Sequence, residues 1–268
     1  MTTTQIYLPD KQAIAFYHEK ATPEFWDHHW EISDLQALIR GTKNDGLFVP
    51  AVKRYLPEGS MVLEGGCGRG QLVYALQYNG YKAMGVDFAP ETIQNIKSAV
   101  PELDVRLGDV RNLPLENNSL DGYVSVGVIE HFWDGYTPII NEMKRTLRLG
   151  GFLFVSFPYM SPLRRLKVFL KLYPMAKKQE LDGQVDTFYQ FALSPSRFQS
   201  DLEGLGFQLR EFLTYAGLKG FKDEVPLLQP WLQEVYDGKR AVRLRKYLDR
   251  LFKPFASHSA LLVMQKTK

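Results

Sequence analysis

The stretch Met61-Val-Leu-Glu-Gly-Gly-Cys-Gly-Arg-Gly-Gln-Leu72 constrains the fold most, because an apolar run breaks into glycines and then restarts with a different period. Val62 and Leu63 suit a buried parallel strand. Leu72, Val73, Leu76 and Tyr78 recur at helical spacing. The expectation is a strand, a tight loop and a helix. The glycines then lie at the carboxyl end of the strand, where open α/β sheets bind their ligands. Gly66, Gly68 and Gly70 lack a Cβ, so they can adopt positive φ and bring backbone against a bound molecule. A dinucleotide fingerprint requires G-x-G-x-x-G, whereas Gly66-x-Gly68-x-Gly70 is followed here by Gln71 and Leu72. Glu64 closes the strand with a carboxylate that would repel a pyrophosphate and suits a cationic or amine-bearing ligand. A purely structural glycine turn stays open on this stretch alone.

Further strand ends follow in order. Lys82-Ala-Met-Gly-Val-Asp87 reads as a strand closed by an acid, and Val105-Arg-Leu-Gly-Asp109 as another. Asp87 and Asp109 would each place a carboxylate acceptor at the ligand-binding edge of the sheet. Leu113 to His131 contains a polar turn, Pro114–Ser119, a strand from Asp121 to Val126, and then Gly127-Val-Ile-Glu-His131. Met143-Lys-Arg-Thr-Leu-Arg-Leu-Gly-Gly-Phe-Leu-Phe-Val155 reads as a helix end, a glycine turn and a fifth strand.

Glu64-Gly-Gly-Cys-Gly-Arg-Gly70 resembles the first motif of the class I methyltransferases that use S-adenosylmethionine, and the later segments resemble that family's successive motifs in the same order. The likeness is good over about residues 50–160 and holds only in outline elsewhere. It implies an α/β fold: a seven-stranded Rossmann-like methyltransferase sheet, mostly parallel with the last strand antiparallel, carrying helical cap insertions. It implies S-adenosylmethionine as cofactor. Glu64, Gly65, Gly66, Cys67, Gly68, Gln71 and Leu72 would surround its methionine end, Asp87 and Phe88 its ribose, Asp109 and Val110 its adenine. The Gly127 carbonyl would take its amino group, with Val128 adjacent. Many members have Asp where this chain has Glu64.

The implied reaction is methyl transfer to a small-molecule acceptor, with O-methylation slightly ahead of C- or N-methylation. A non-catalytic cofactor-binding or membrane-surface module is the alternative. His131 is the candidate general base for a hydroxyl acceptor; a histidine here can also merely pack or position the substrate. No metal is expected. Glu130 and His131 lack the upstream acid that a divalent site would need, and the adjacent His28 and His29 diverge on a helix. Nor is a nucleic-acid partner expected, since neither an Asn-Pro-Pro-Tyr motif nor a recognised RNA module is present.

The chain has 268 residues, 45% hydrophobic and 24% charged, values of an ordinary globular protein with a sizeable core. A single cysteine, Cys67, excludes an intramolecular disulfide and a cysteine-cluster zinc site. No apolar run of membrane-spanning length appears, and Met1-Thr-Thr-Thr lacks signal-peptide character, so a cytoplasmic protein is expected. Charge is uneven. Residues 1–150 hold 14 Lys+Arg against 19 Asp+Glu, a net of −5, and residues 151–268 hold 19 against 11, a net of +8.

Residues 1–60 are expected to form an N-terminal helical segment or cap, and 61–268 the cofactor-binding core. Residues 5–20 read as a loosely helical arm. Thr22-Pro23-Glu24 is a good helix start, leading into Phe25-Trp-Asp-His-His-Trp30. Trp26 and Trp30 share a face; they either pack onto the core or fold over the cofactor cleft. Asp45–Tyr55 reads as the helix before the first strand. Insertions at about 159–193 and 214–259 leave from carboxyl strand ends and suggest a lid. Trp26, Trp30, Tyr159 and Tyr189 are candidate acceptor contacts. In the second insertion, Lys239–Lys253 has a stripe of Leu244, Tyr247, Leu248 and Leu251 among seven basic residues and one acid, Asp249. A solvated face, an anionic acceptor and an anionic membrane all remain readings of it.

Overall fold

The computed structural model describes residues 4–238 and 242–268, with all their side chains but that of Gln184. Lys239, Arg240 and Ala241, which open the expected basic helix, lie outside the described residues, as do the first three residues of the expected N-terminal segment. Contacts divide the chain into two units. One comprises residues 20–155, 201–211 and 262–268; the other comprises 1–19, 156–200 and 212–261. Residues 20–60 thus belong with the glycine loop, and both insertions fall wholly in the other unit.

In chain order the strands are β1 (Thr4–Leu8), β2 (Ala13–Tyr17), β3 (Met61–Gly65), β4 (Lys82–Asp87), β5 (Val105–Leu107), β6 (Leu120–Val126), β7 (Leu147–Pro158), β8 (Phe188–Ala192), β9 (Phe207–Tyr215) and β10 (Ser259–Lys266). The α-helices are α1 (Pro23–Trp30), α2 (Leu35–Gly41), α3 (Phe48–Tyr55), α4 (Gln71–Tyr78), α5 (Pro90–Ala99), α6 (Thr137–Thr146), α7 (Pro162–Phe169), α8 (Pro195–Gly204), α9 (Gly217–Glu224), α10 (Gln229–Asp237) and α11 (Val242–Ala256). Seven strands order as β5-β4-β3-β6-β7-β10-β9, mostly parallel with the last strand of the chain antiparallel, as the motifs led one to expect. Parallel registers place Glu64 opposite Gly85 on one side and Val124 on the other. Val62 and Leu63 are fully buried between these neighbours, which is why the strand reads as continuous apolar sequence.

The N-terminal arm is not helical. Residues 4–17 form two antiparallel strands, and β2 pairs again with β8, Ile14 facing Ala192. Every residue of β2 is buried, and Ile14 and Phe16 share a small core with Met160, Tyr173 and Ala192. The apolar partner of β2 lies some 170 residues away in the chain, so local periodicity carries no sign of it. The helix expected from Asp45 begins at Phe48, because the Asp45 carboxylate accepts the Leu47, Phe48 and Val49 N–H groups and so precedes the first turn. Among the described residues no helix is long and apolar enough to cross a membrane.

Candidate active site

The glycine loop turns between β3 and α4 by holding three residues in left-handed conformation, Gly66 at φ +76°, Gly68 at +47° and Gly70 at +72°. Gly66 N–H and Cys67 N–H both donate to the Val86 carbonyl, at 2.7 and 3.1 Å, which ties the loop to the end of β4. There Asp87 takes over: its Oδ2 accepts from Gly68 N–H at 2.8 Å and its Oδ1 from Ala89 N–H at 3.1 Å. Both oxygens keep a further lone pair for a ligand. Burial pushes the Asp87 carboxyl up from its ordinary range, and the N–H groups of Gly68, Ala89 and Phe88 pull against it.

Helix α1 lies over this loop. Thr22 Oγ1 caps it by accepting from Phe25 N–H at 3.2 Å. Two anchors hold it down. The Asp27 carboxylate accepts from Thr92 N–H and Oγ1, at 2.7 and 2.8 Å, at the start of α5, and Arg69 Nε donates to the Trp30 carbonyl at 3.0 Å. Arg69 also spreads over the Trp30 ring. Trp30 comes so near Gly68 that a Cβ there would sit 3.1 Å from its ring. Trp26 and Trp30 stack with centroids 5.4 Å apart, and the Trp26 and His131 rings meet edge to face with centroids 5.1 Å apart.

These elements enclose a cleft whose lining is mostly apolar with a few polar groups converging on it, the pattern of a small-molecule site. Of the residues expected from sequence, Gly66, Asp87, Phe88, Asp109, Val110, Gly127 and Val128 line it, together with Trp26, Trp30 and His131. Glu64, Gly65, Cys67, Gly68, Gln71 and Leu72 do not line it. Gly65 lies beneath the Tyr123 hydroxyl, where no side chain would fit. Cys67 packs against Gly85, and burial pushes its thiol well up, so it serves as a small apolar spacer. Gln71 Nε2 donates to Thr42 Oγ1 at 3.3 Å, and Leu72 is buried in α4. Glu64 is buried with Oε2 unpaired. Burial first, and then the Asp87 charge, push its carboxyl well above the usual range, which favours the protonated form.

The structure adds Ala21, Gly108, Arg111, Val126 and Phe132 to the cleft. Arg111 was legible only as the basic residue two places after Asp109. Its guanidinium forms a bidentate pair with the Asp109 carboxylate, closest at 2.6 Å, and holds that carboxyl below its ordinary range. Tyr159 and Tyr189 belong to the other unit: the Tyr159 carbonyl accepts from Arg164 Nη1 at 2.8 Å, and Tyr189 is half-buried in β8. Among the described residues there is no cluster of three or more His, Cys, Asp or Glu placed to hold a metal.

The family model described as a methyltransferase domain matches residues 63–155, the span from β3 into β7 that carries the glycine loop, Asp87, Asp109 and Gly127. Residues 63–155 are a class I methyltransferase domain. The chain is 36% identical over 100 residues to a Mycolicibacterium smegmatis protein named "Probable S-adenosylmethionine-dependent methyltransferase", covering 37% of this chain and 38% of that one. It is 30% identical over 151 residues to a Bos taurus protein named "Probable tRNA methyltransferase 9B", covering 54% of this chain and 29% of that one. The chain therefore spans about a third of the length of the curated relatives it matches. In fold it is similar to a crystal structure of a S-adenosylmethionine-dependent methyltransferase from Methanosarcina mazei, with TM-score 0.56 and 16% identity over 81% of this chain and 97% of that one. In the methyltransferase domain the glycine cradle, the Asp87 oxygens and the Asp109–Arg111 pair meet at one cleft, a donor and acceptor set that fits a nucleoside with an amine-bearing tail.

Proposed function

We propose that this protein is a S-adenosylmethionine-dependent methyltransferase acting on a small-molecule acceptor, with a hydroxyl oxygen as the preferred acceptor atom. One observation carries the reading: within a single cleft, Asp87 and Asp109 close adjacent strand ends while Trp26, Trp30 and His131 gather at the helix α1 side. Asp87 and Phe88 would hold the ribose, Asp109 and Val110 the adenine, and the Gly127 carbonyl the amino group. Glu64, Gly65, Gly66, Cys67, Gly68, Gln71, Leu72 and Val128 would shape the methionine end. Several of these act by packing behind the loop. The cofactor, when bound, supplies a methyl group already electrophilic on a sulfonium sulfur, so the protein's task is alignment and exclusion of water. Trp26 fixes the plane of the His131 ring by its edge contact, and His131 takes the hydroxyl proton on an imidazole nitrogen.

Acceptor choice is part of the same proposal and rests with residues outside 63–155, where the family match ends. The two insertions, with Tyr159 and Tyr189, are the segments in question, and their basic side chains favour an anionic acceptor. A cytoplasmic setting agrees with the single buried cysteine. Calorimetric titration with S-adenosylmethionine and with its demethylated product tests the cofactor. Binding of both, lost in Asp87→Ala, is expected; no heat from a folded sample would overturn the reading. A turnover panel of hydroxyl, amine and carbon acceptors, with bulk tRNA as a further arm, then tests the acceptor. Binding without turnover on any arm would assign a non-catalytic module, and transfer to tRNA would refute the small-molecule assignment. With a hydroxyl acceptor, His131→Ala should lower kcat 10²-fold or more, by about the contribution of a positioned base, and leave cofactor affinity within about twofold.

A further inference from the structure

Helix α11 uses only one of its two apolar strips to pack. Leu248, Phe252 and Ala256 face inward, Leu248 joining a core with Leu218, Leu232 and Val235, and the Phe252 ring stacking on Phe221. The helix is held there by backbone approach: a Cβ at Gly217 would lie 2.5 Å from Lys253 N, and one at Gly220 would lie 2.7 Å from His258 N. The Asp249 carboxylate also accepts from Leu218 N–H at 3.1 Å. α11 is therefore fixed on α9 and has no freedom to roll its other face inward.

That other face is apolar as well. Leu244, Tyr247, Leu251 and Phe255 are 40–62% exposed. At 3.6 residues per turn, Leu244, Leu251 and Phe255 fall within about 40° of one another, with Tyr247 at their edge. Beyond Tyr247 the flank is basic throughout: Arg243, Lys246, Arg250 and Lys253 are all exposed and make no ion pair among the described residues. The fifth exposed cation, Arg245, lies over the Tyr236 ring at 4.5 Å. The same helical cluster exposes Trp231 of α10 and Phe169 of α7, the latter 80% accessible. Water solvates the four cations well, and it solvates the strip beside them poorly.

We infer that the exposed strip of α11 docks on an anionic lipid bilayer, its apolar residues entering the acyl boundary and its basic flank lying on the phosphate layer. The charge pattern selects this occupant. A narrow apolar ridge on a convex helix fills no pocket, while four unpaired cations along one edge match a continuous sheet of negative charge. Long Lys and Arg stems can lie along the ridge with their heads at the phosphates. An exposed tryptophan and tyrosine suit the headgroup layer. The excess of 19 Lys+Arg over 11 Asp+Glu in residues 151–268 has the same sign.

The test is co-sedimentation of the full chain with phosphatidylglycerol-containing vesicles and with pure phosphatidylcholine vesicles, at low and physiological salt. Binding to the anionic vesicles alone, weakening with salt, is expected. Arg243→Gln and Arg250→Gln should each lower the partition coefficient about fivefold, and Leu251→Glu by more than about tenfold. All three positions are exposed, so unchanged thermal melting and unchanged cofactor affinity will establish that the variants fold. Absence of sedimentation with anionic vesicles, equal sedimentation with neutral ones, or indifference to all three substitutions would each overturn the inference. So would a concentration-dependent dimer abolished by Leu251→Glu, which would assign the strip to a second copy of the chain. Vesicle binding needs no methyl acceptor, so this test fails or succeeds independently of the catalytic reading.

Discussion

Gly66→Ala, taken with Val128→Ala, probes the loop where it meets the cleft. Gly66 has φ +76°, and a Cβ built on it would overlap Val128 Cγ2, with Val128 Cβ and Cγ1 both 3.6 Å away. Two costs add in the single variant. The left-handed conformation costs an alanine about 1–2 kcal/mol, and forcing a methyl against a stiff β-branched neighbour costs about 1–3 kcal/mol more. The second cost has one source. Truncating Val128 to alanine removes both Cγ atoms and leaves Cβ at an ordinary contact distance, so the double variant should carry the conformational cost alone. Urea unfolding of the four proteins of the cycle should therefore give a favourable coupling of about 1–3 kcal/mol between the two sites. Calorimetry should show cofactor affinity reduced in Gly66→Ala and partly recovered in the double variant, because both residues line the cleft. Additivity within about 0.5 kcal/mol would refute the argument, since it would mean that Val128 does not set the room available to the loop.

Two further outcomes follow from buried charge. Burial pushes the Glu130 carboxyl up to about 8. The folded state thus keeps a proton that the unfolded chain releases near 4.5, and stability falls as pH rises between those values, by up to about 1.4 kcal/mol per pH unit. Glu130→Gln should abolish that fall, so its advantage over the parent in urea should grow from pH 5 to pH 8; a pH-independent difference would contradict the account. In the other unit, Arg164 and Glu224 are each 1% exposed and paired at 2.7 Å, and Lys167 reaches the second Glu224 oxygen at 2.6 Å. Glu224→Gln leaves Arg164 buried without its counter-charge and should cost about 3–5 kcal/mol in urea, whereas a loss below about 1 kcal/mol would mean that water reaches the guanidinium.

The methyltransferase domain was legible because its determinants are short-range. Val62 and Leu63, three glycines at alternate positions, and the single acids closing β4 and the β5 turn are each set by the few residues around them, and each obeys a local rule of strand, turn or cap. Thr22 as a cap was read on the same grounds. The β1-β2-β8 sheet was not, since Ala13–Tyr17 finds its apolar partner in Phe188–Ala192 only after the chain has folded. Arg111 and Phe132 entered the cleft for a similar reason: nothing in the order of residues shows that the guanidinium of one lies 5.4 Å from the ring of the other.

The sequence by itself determined the strand–glycine–helix unit, the order of acidic strand ends, and hence the class of fold and ligand, because period and backbone freedom are properties of neighbouring residues. Only the tertiary structure decided which loop residues face the cleft and which pack behind it, that Glu64 is buried with one oxygen unpaired, and which strip of α11 is left to solvent. Those depend on what lies across the space from each side chain. Burial and pairing are set by contacts between segments far apart in the chain, and no local pattern records them.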